Sequence, residues 1–153
     1  MARMILRKAT APDADAIRRI VTAAYGPLAD RMDKPPMPML DDYPARVAEG
    51  VVDVLVDGEI VLGMIILVDQ PDALMLENVA VAPEAQGRGV GRRLIDHAEA
   101  EAQRRGGSLI RLYTHATMVE NQRMYAHLGY TETERGEDEG YDRVQFEKRL
   151  SSN

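Results

Sequence analysis

Three glycines at alternate positions, Gly87, Gly89 and Gly91, join an apolar strand pattern, Val79-Ala80-Val81, to a helical pattern that begins near Val90. Without a Cβ, glycine lets the backbone turn left-handed and lets a ligand approach it closely. A helix start carries N–H groups with no intrahelical partner at the positive end of the helix dipole. The two together form an anion site, most often for phosphate. A strand-to-helix turn that uses glycine only for its conformation gives the same pattern, so spacing has to discriminate. A dinucleotide fingerprint needs G-x-G-x-x-G, and Arg92 stands where its last glycine belongs. A P-loop needs G-x-x-x-x-G-K-[ST], and no lysine follows any of these glycines. The run reads instead as Q-x-x-G-x-G, with Gln86, Gly89 and Gly91. Arg88, Arg92 and Arg93 crowd the same helix start. Cations are unfavourable there without an anion nearby, and guanidinium groups suit charge-assisted bonds to phosphate. A solvated helix start is the alternative.

A second pattern follows. Residues 108–114 read as a strand, and Thr117 with Glu120 makes a capping box that predicts a helix from Met118. Gly129 closes that helix as a left-handed cap. Asn121 and Tyr125, at i and i+4, share one face of it, while His127 points elsewhere, toward the surface.

The first run, with Asn78-Val79-Ala80-Val81 leading into Gln86, Gly89 and Gly91, resembles the acetyl-coenzyme A signature of the GNAT superfamily of N-acetyltransferases. Asn121-x-x-x-Tyr125-x-x-x-Gly129-Tyr130 resembles that superfamily's second signature, and the resemblance extends over nearly the whole chain. It implies an α/β fold with a mixed, mostly antiparallel sheet of about seven strands, helices on both faces and a splay at the middle strands. It implies an acyltransferase with acetyl-CoA as co-substrate and no metal. The backbone of Gln86, Gly87, Arg88, Gly89, Val90, Gly91 and Arg92 would hold the diphosphate. Val79, Ala80 and Val81 would flank the pantetheine arm, with an N–H near Val79 polarising the thioester carbonyl. Asn121 would contact the coenzyme and Tyr125 would sit near its sulfur.

Two side chains suit the proton transfers. A phenol titrates near pH 10 and carries its proton at neutral pH, so Tyr125 is the candidate general acid; a tyrosine packed on the sheet is the other reading. By alternation Glu77 shares a face with Met75, Val79 and Val81, where a carboxylate is costly unless solvated or paired. Some family members use a glutamate on this strand to take the amine proton through water, which makes Glu77 the candidate base. His115 and water alone are the alternatives.

Composition narrows the rest. The chain has 153 residues, the size of one domain, and no cysteine. Disulfides, thiolate metal sites and a cysteine nucleophile are therefore excluded. The short, charged N-terminal residues and the lack of a long apolar run predict no signal peptide and no membrane span, hence a cytoplasmic protein. A net charge of −6 argues against nucleic acid as a partner.

Read in order, residues 4–8 form a strand, and Thr10 caps a helix with Ile17, Ile20, Val21, Ala24 and Leu28 on one face. Gly26-Pro27 disturbs that helix near its end, and three prolines forbid a regular helix across residues 35–38. A helix over 43–48 follows, then strands over 51–56 and 60–68 joined by the hairpin signal Asp57-Gly58. A strand over 73–81 leads to a helix over 89–105. Val90, Leu94, Ile95, Ala98 and Ala102 face inward on that helix, and Arg92, Arg93, Asp96, Glu99 and Arg104 face water. Residues 130–135 and 143–150 make a closing hairpin around an acidic, solvated loop.

The segment from Tyr25 to Tyr43 breaks pattern and is the expected acceptor wall, with Tyr25, Arg31, Met39 and Tyr43 lining it. The acceptor is expected to be a small-molecule or peptide amine. Many members of the superfamily pair through their last strands, so the resemblance allows a homodimer. A non-catalytic acyl-coenzyme A sensor and an interaction protein using the Met- and Pro-rich segment are the alternative functions.

Overall fold

Asp57 and Ile60 face each other across a two-residue turn in which Gly58 adopts a left-handed backbone (φ 61°). This is the hairpin that Asp57-Gly58 predicts, and it joins β2 (Val52–Asp57) to β3 (Ile60–Asp69). The computed structural model describes residues 3–151. Its elements are β1 (Met4–Lys8), α1 (Ala14–Ala29), α2 (Met37–Leu40), α3 (Tyr43–Ala48), β2, β3, β4 (Leu74–Val81), α4 (Val90–Arg104), β5 (Leu109–His115), α5 (Val119–His127), β6 (Thr131–Asp138) and β7 (Tyr141–Arg149). Short 3-10 turns precede α1 and follow β4. The seven strands form a mixed sheet in the order β1-β2-β3-β4-β5-β7-β6. Antiparallel ladders join β1 to β2, β2 to β3, β5 to β7 and β6 to β7, while β4 and β5 run parallel. The β4–β5 register runs from Leu74↔Ile110 to Leu76↔Leu112, and β4 continues to Val81.

The chain divides into two compact units. One comprises the chain up to Leu67 with Asn78–His97; the other comprises Val68–Glu77 with the chain from Ala98 onward. In the first, Ile17, Leu55, Met64, Ile65 and Ile66 lose essentially all solvent contact. In the second, Ile110, Leu112 and Val144 do the same. Each such side chain contributes roughly 1.5–3 kcal/mol by burial. The inward face predicted for α4 is buried as expected: Val90, Leu94 and Ile95 in the first unit, Ala98 and Ala102 in the second.

Four expectations change. A one-turn helix, α2, forms across the proline segment, because Pro38 falls in its first turn, where the missing N–H costs no intrahelical bond. Helix α1 runs through Gly26-Pro27 and ends two residues later at Ala29. Glu99 is drawn in from water: it accepts from Lys148 Nζ (3.0 Å) and from the Tyr130 hydroxyl (3.0 Å). The strand expected over 130–135 extends to Asp138, so residues 136–138 are strand rather than loop, though every residue of β6 is exposed. That hairpin is longer than predicted because Glu139 and Gly140 both take positive φ (52° and 82°). Such a turn matches the twist of the strands it joins, and Asp138 pairs with Tyr141 across it.

Candidate active site

The glycine run lies wholly in the first unit. At the end of β4 the Ala82 N–H donates to the Leu62 carbonyl (2.8 Å), which seats the exit of the strand on β3. Gly87 and Gly89 take left-handed backbones (φ 84° and 77°) before α4 begins at Val90. Nothing lies within 4 Å of the position a Cβ would occupy at either. Glycine is therefore required there by conformation, and the space in front of the loop is open. The Arg88 N–H donates to the Ala85 carbonyl (3.3 Å). Among the described residues, the N–H groups of Gly87, Gly89, Val90, Gly91 and Arg92 meet no protein acceptor. No acidic residue stands in the first turn of α4. Several main-chain donors and the positive end of a 15-residue helix thus converge with no internal counter-charge.

The three arginines of this run have partners within the chain. Arg88 lies 3.7 Å from Asp57, Arg92 lies 3.2 Å from Asp96, and Arg93 donates to the Met4 carbonyl (3.1 Å). Exposed pairs of this kind contribute little, ~1 kcal/mol or less, and exchange readily for a stronger anion.

Gly63, on β3, sets how closely α4 approaches. A Cβ there would come within 2.8 Å of Val90 Cγ1, 3.0 Å of Leu94 Cδ1 and 3.1 Å of the Ala80 carbonyl oxygen. The first turn of α4 consequently presses directly on β3. Sequence reasoning passed over Gly63; its signal is a lone glycine inside a long apolar strand, which marks close approach by a neighbour.

At the segment expected to line the acceptor, a chain of hydrogen bonds connects α1, β4 and α3. The Tyr25 hydroxyl donates to Asn78 Oδ1 (3.0 Å), Asn78 Nδ2 donates to the Tyr43 oxygen (3.2 Å), and the Tyr43 hydroxyl donates to the Pro38 carbonyl. Tyr43 is fully enclosed, and the Arg18 guanidinium lies 5.6 Å from its ring centroid. Burial pushes the Tyr25 hydroxyl up to about 12 and raises that of Tyr43 further, with Asp41 adding to the latter, so both stay protonated. Tyr25 and Tyr43, predicted as neighbours on a wall, are thus linked through Asn78, which heads the first signature run but had no role of its own in the sequence reading. Arg31 is exposed just beyond α1, and Met39 is half-buried in α2.

The second unit carries the other predicted groups. Tyr125 is 4% exposed, with ring centroids 5.8 Å from Tyr130, nearly edge-on, and 6.0 Å from Phe146. Such aromatic pairs add ~1 kcal/mol each beyond area burial. Asn121 is half-buried one turn earlier and its Nδ2 lies 3.8 Å from Met118 Sδ. Glu77 is exposed midway along β4, and His127 is exposed as expected. The start of α5 differs from expectation: Met118 is the capping residue and the Thr117 box does not form. His115 Nδ1 takes the Thr117 backbone N–H (3.1 Å) and sits 2.8 Å from its hydroxyl, so the threonine is already engaged. The end of α5 behaves as predicted. Gly129 is left-handed (φ 95°), its N–H donates to Ala126, and the Tyr130 N–H donates to Tyr125, which is a Schellman cap. Lys148 Nζ adds a bond to the Leu128 carbonyl (2.9 Å).

Among the described residues no cluster of three or more His, Asp or Glu is placed to hold a metal ion, and no helix is long and apolar enough to cross a membrane.

Comparison with known proteins bears on the same features. The chain is 45% identical over 64 residues to N-alpha-acetyltransferase 80 of Mus musculus, a match that takes in 42% of this chain and 19% of that protein. The structure is similar to the PaiA N-acetyltransferase from Thermoplasma acidophilum in complex with coenzyme A (TM-score 0.80, 15% identity, 97% of this chain and 99% of that one). It is also similar to YncA from Salmonella typhimurium with its cofactor acetyl-CoA (TM-score 0.74, 23% identity, 99% of this chain and 96% of that one). At those identities the likeness is one of fold. The sequence profile of the acetyltransferase (GNAT) family matches residues 14–130, a span that contains both the glycine run and the Asn121–Tyr125 helix. The chain belongs to the acetyltransferase (GNAT) family.

Proposed function

We propose that this protein moves an acetyl group from acetyl-CoA to a primary amine by direct attack within a ternary complex. The observation that carries the reading is the set of open main-chain donors at residues 87 and 89–92, at a helix start with no acidic residue. Their number, at the positive end of a helix, suits a diphosphate. Acetyl-CoA supplies the acetyl group as a thioester; the chain supplies placement and proton handling. The amides of residues 87–92 hold the diphosphate, with Gln86, Arg88 and Arg92 beside them and Val90 seating the helix. Val79, Ala80 and Val81 flank the pantetheine arm, and a main-chain N–H near Val79 polarises the carbonyl, a type of contact worth ~3 kcal/mol of barrier. Asn121 contacts the coenzyme. Tyr125 gives its proton to the departing thiolate, and Glu77 takes the amine proton through water. With no cysteine in the chain, an acyl-cysteine intermediate has no nucleophile to form on.

The mouse relative's name points to an α-amino group as acceptor. Since this chain matches a minor part of that protein, a peptide α-amine enters here as the first acceptor to try, with Tyr25, Arg31, Met39 and Tyr43 as the acceptor-side residues. One observation favours a second reading, an acyl-coenzyme A sensor without turnover: Tyr125 is almost wholly enclosed by its aromatic neighbours. A thiol-release assay separates the two. The purified protein is given acetyl-CoA and a panel comprising a tripeptide with a free α-amine, an Nα-blocked lysine amide, spermidine and n-butylamine. Amine-dependent release is expected. Coenzyme binding with no release on any amine would establish the sensor.

A further inference from the structure

The direction of the buried hydrogen-bond chain follows from its last member. The Pro38 carbonyl can only accept, so the Tyr43 proton is committed to it. The Tyr43 oxygen must then receive a proton from Asn78, which places the amide nitrogen on that side (Nδ2, 3.2 Å) and the amide oxygen toward Tyr25. That oxygen can only accept, so Tyr25 must donate its proton inward (3.0 Å). Asn78 is 6% exposed and Tyr43 is fully buried, whereas Tyr25 is half-buried. The chain therefore runs from an enclosed carbonyl to Tyr25, which is half-buried as a residue, with every proton pointing inward.

A phenol whose proton is committed retains only lone pairs for an external partner. We infer that Asn78 is a positioning residue that fixes Tyr25 as a hydrogen-bond acceptor, and that Tyr25 is a specificity-determining residue selecting acceptors that present an N–H. This rests on the reading of the protein as an amine acetyltransferase and adds to it the polarity of recognition on the acceptor side. An acceptor offering only an oxygen lone pair at this point, such as an ester or ether group, finds no donor at Tyr25. Reversing the chain would leave the Pro38 carbonyl without the Tyr43 proton, so the polarity is held by a main-chain group that substitution cannot remove.

The test uses the full chain with acetyl-CoA and the best amine from the panel above. Tyr25→Phe removes the lone pairs and keeps the ring; it is expected to raise the KM for the amine about tenfold, leaving the KM for acetyl-CoA within twofold. Asn78→Leu removes the positioning amide and is expected to raise the amine KM similarly. The double variant should be no worse than Tyr25→Phe alone, since Asn78 acts on the amine only through Tyr25. A role confined to packing would instead lower the melting temperature and shift both KM values together. If Asn78→Leu fails to fold, Tyr25→Phe still decides: an unchanged amine KM, or equal rises for amine and coenzyme, overturns the inference. No amine-dependent thiol release by the unaltered protein overturns the parent reading and the inference with it. Release with an unaffected Tyr25→Phe variant overturns the inference alone.

Discussion

Helices α1 and α4 begin in opposite ways within the same compact unit. Ahead of α1, the Asp13 carboxylate accepts from the Thr10 N–H (2.8 Å) and the Thr10 hydroxyl (3.1 Å), and Arg7 pairs with it at 2.7 Å. The chain places its own anion at this helix start and holds it with Arg7 of β1. Ahead of α4, two left-handed glycines stand in place of a capping side chain, and the first turn has no carboxylate. A helix start satisfied internally is a structural joint. One left open, at the cost of unpaired donors, is a place kept for a negative charge from outside.

The hardest blow to this contrast comes from giving α4 an anion of its own. Gly89→Glu forces a side chain onto a left-handed backbone (φ 77°) and places a carboxylate beside the open amides. Affinity for coenzyme A is expected to fall at least a hundredfold, about 3 kcal/mol, as read by calorimetry. Unchanged affinity would remove the loop from the site. Tyr125→Phe tests the chemistry apart from the holding: turnover is expected to drop about a hundredfold, in the range of a lost general acid, with coenzyme affinity nearly intact. Full activity in the variant would leave Tyr125 a packing residue. Gly63→Val acts from behind the loop. Its methyls would meet Val90 and Leu94, where a Cβ alone already comes within 2.8 Å and 3.0 Å. Overpacking should cost about 2 kcal/mol in denaturant unfolding and weaken the coenzyme along with it. A stable variant with full affinity would show that the approach of α4 is not set at this strand.

The smallest effect belongs to the closed helix start. The Arg7 guanidinium holds the Asp13 carboxyl down to about 2, below the usual carboxylate value, with Thr10 adding to it. A lowered folded-state value means stabilisation that is complete above the unfolded value and lost as pH falls through about 2. Asp13→Ala should therefore cost about 1 kcal/mol near neutrality, with the gap to the parent protein closing as the solution is acidified toward about pH 2. Coenzyme affinity should not move. A large loss of coenzyme binding in this variant would break the division between joint and open end.

What was legible in the chain was local. The face of α4 follows from spacing alone, and Asp57-Gly58 specifies its hairpin because left-handed residues are needed in that turn. Gly129 ends α5 for the same reason. What escaped depends on neighbours distant in sequence. Asn78 reads as one polar residue in an apolar strand; its meaning comes from tyrosines 53 positions before it and 35 positions before it. Thr117 carries a sound capping pattern, and His115 takes the same groups first. Glu99 looks like a solvated helical glutamate until Lys148 and Tyr130 arrive from later strands and turns.

That last cluster has a mechanical consequence. The chain contains three lysines, at positions 8, 34 and 148, while arginine, which does not accept acyl groups readily, carries most of its positive charge. The Lys148 side chain is shared among a carboxylate, a helix-end carbonyl and the face of an aromatic ring. Those three contacts on one side chain tie the end of α5 to β7, so a change at Lys148 would loosen the helix end from the sheet.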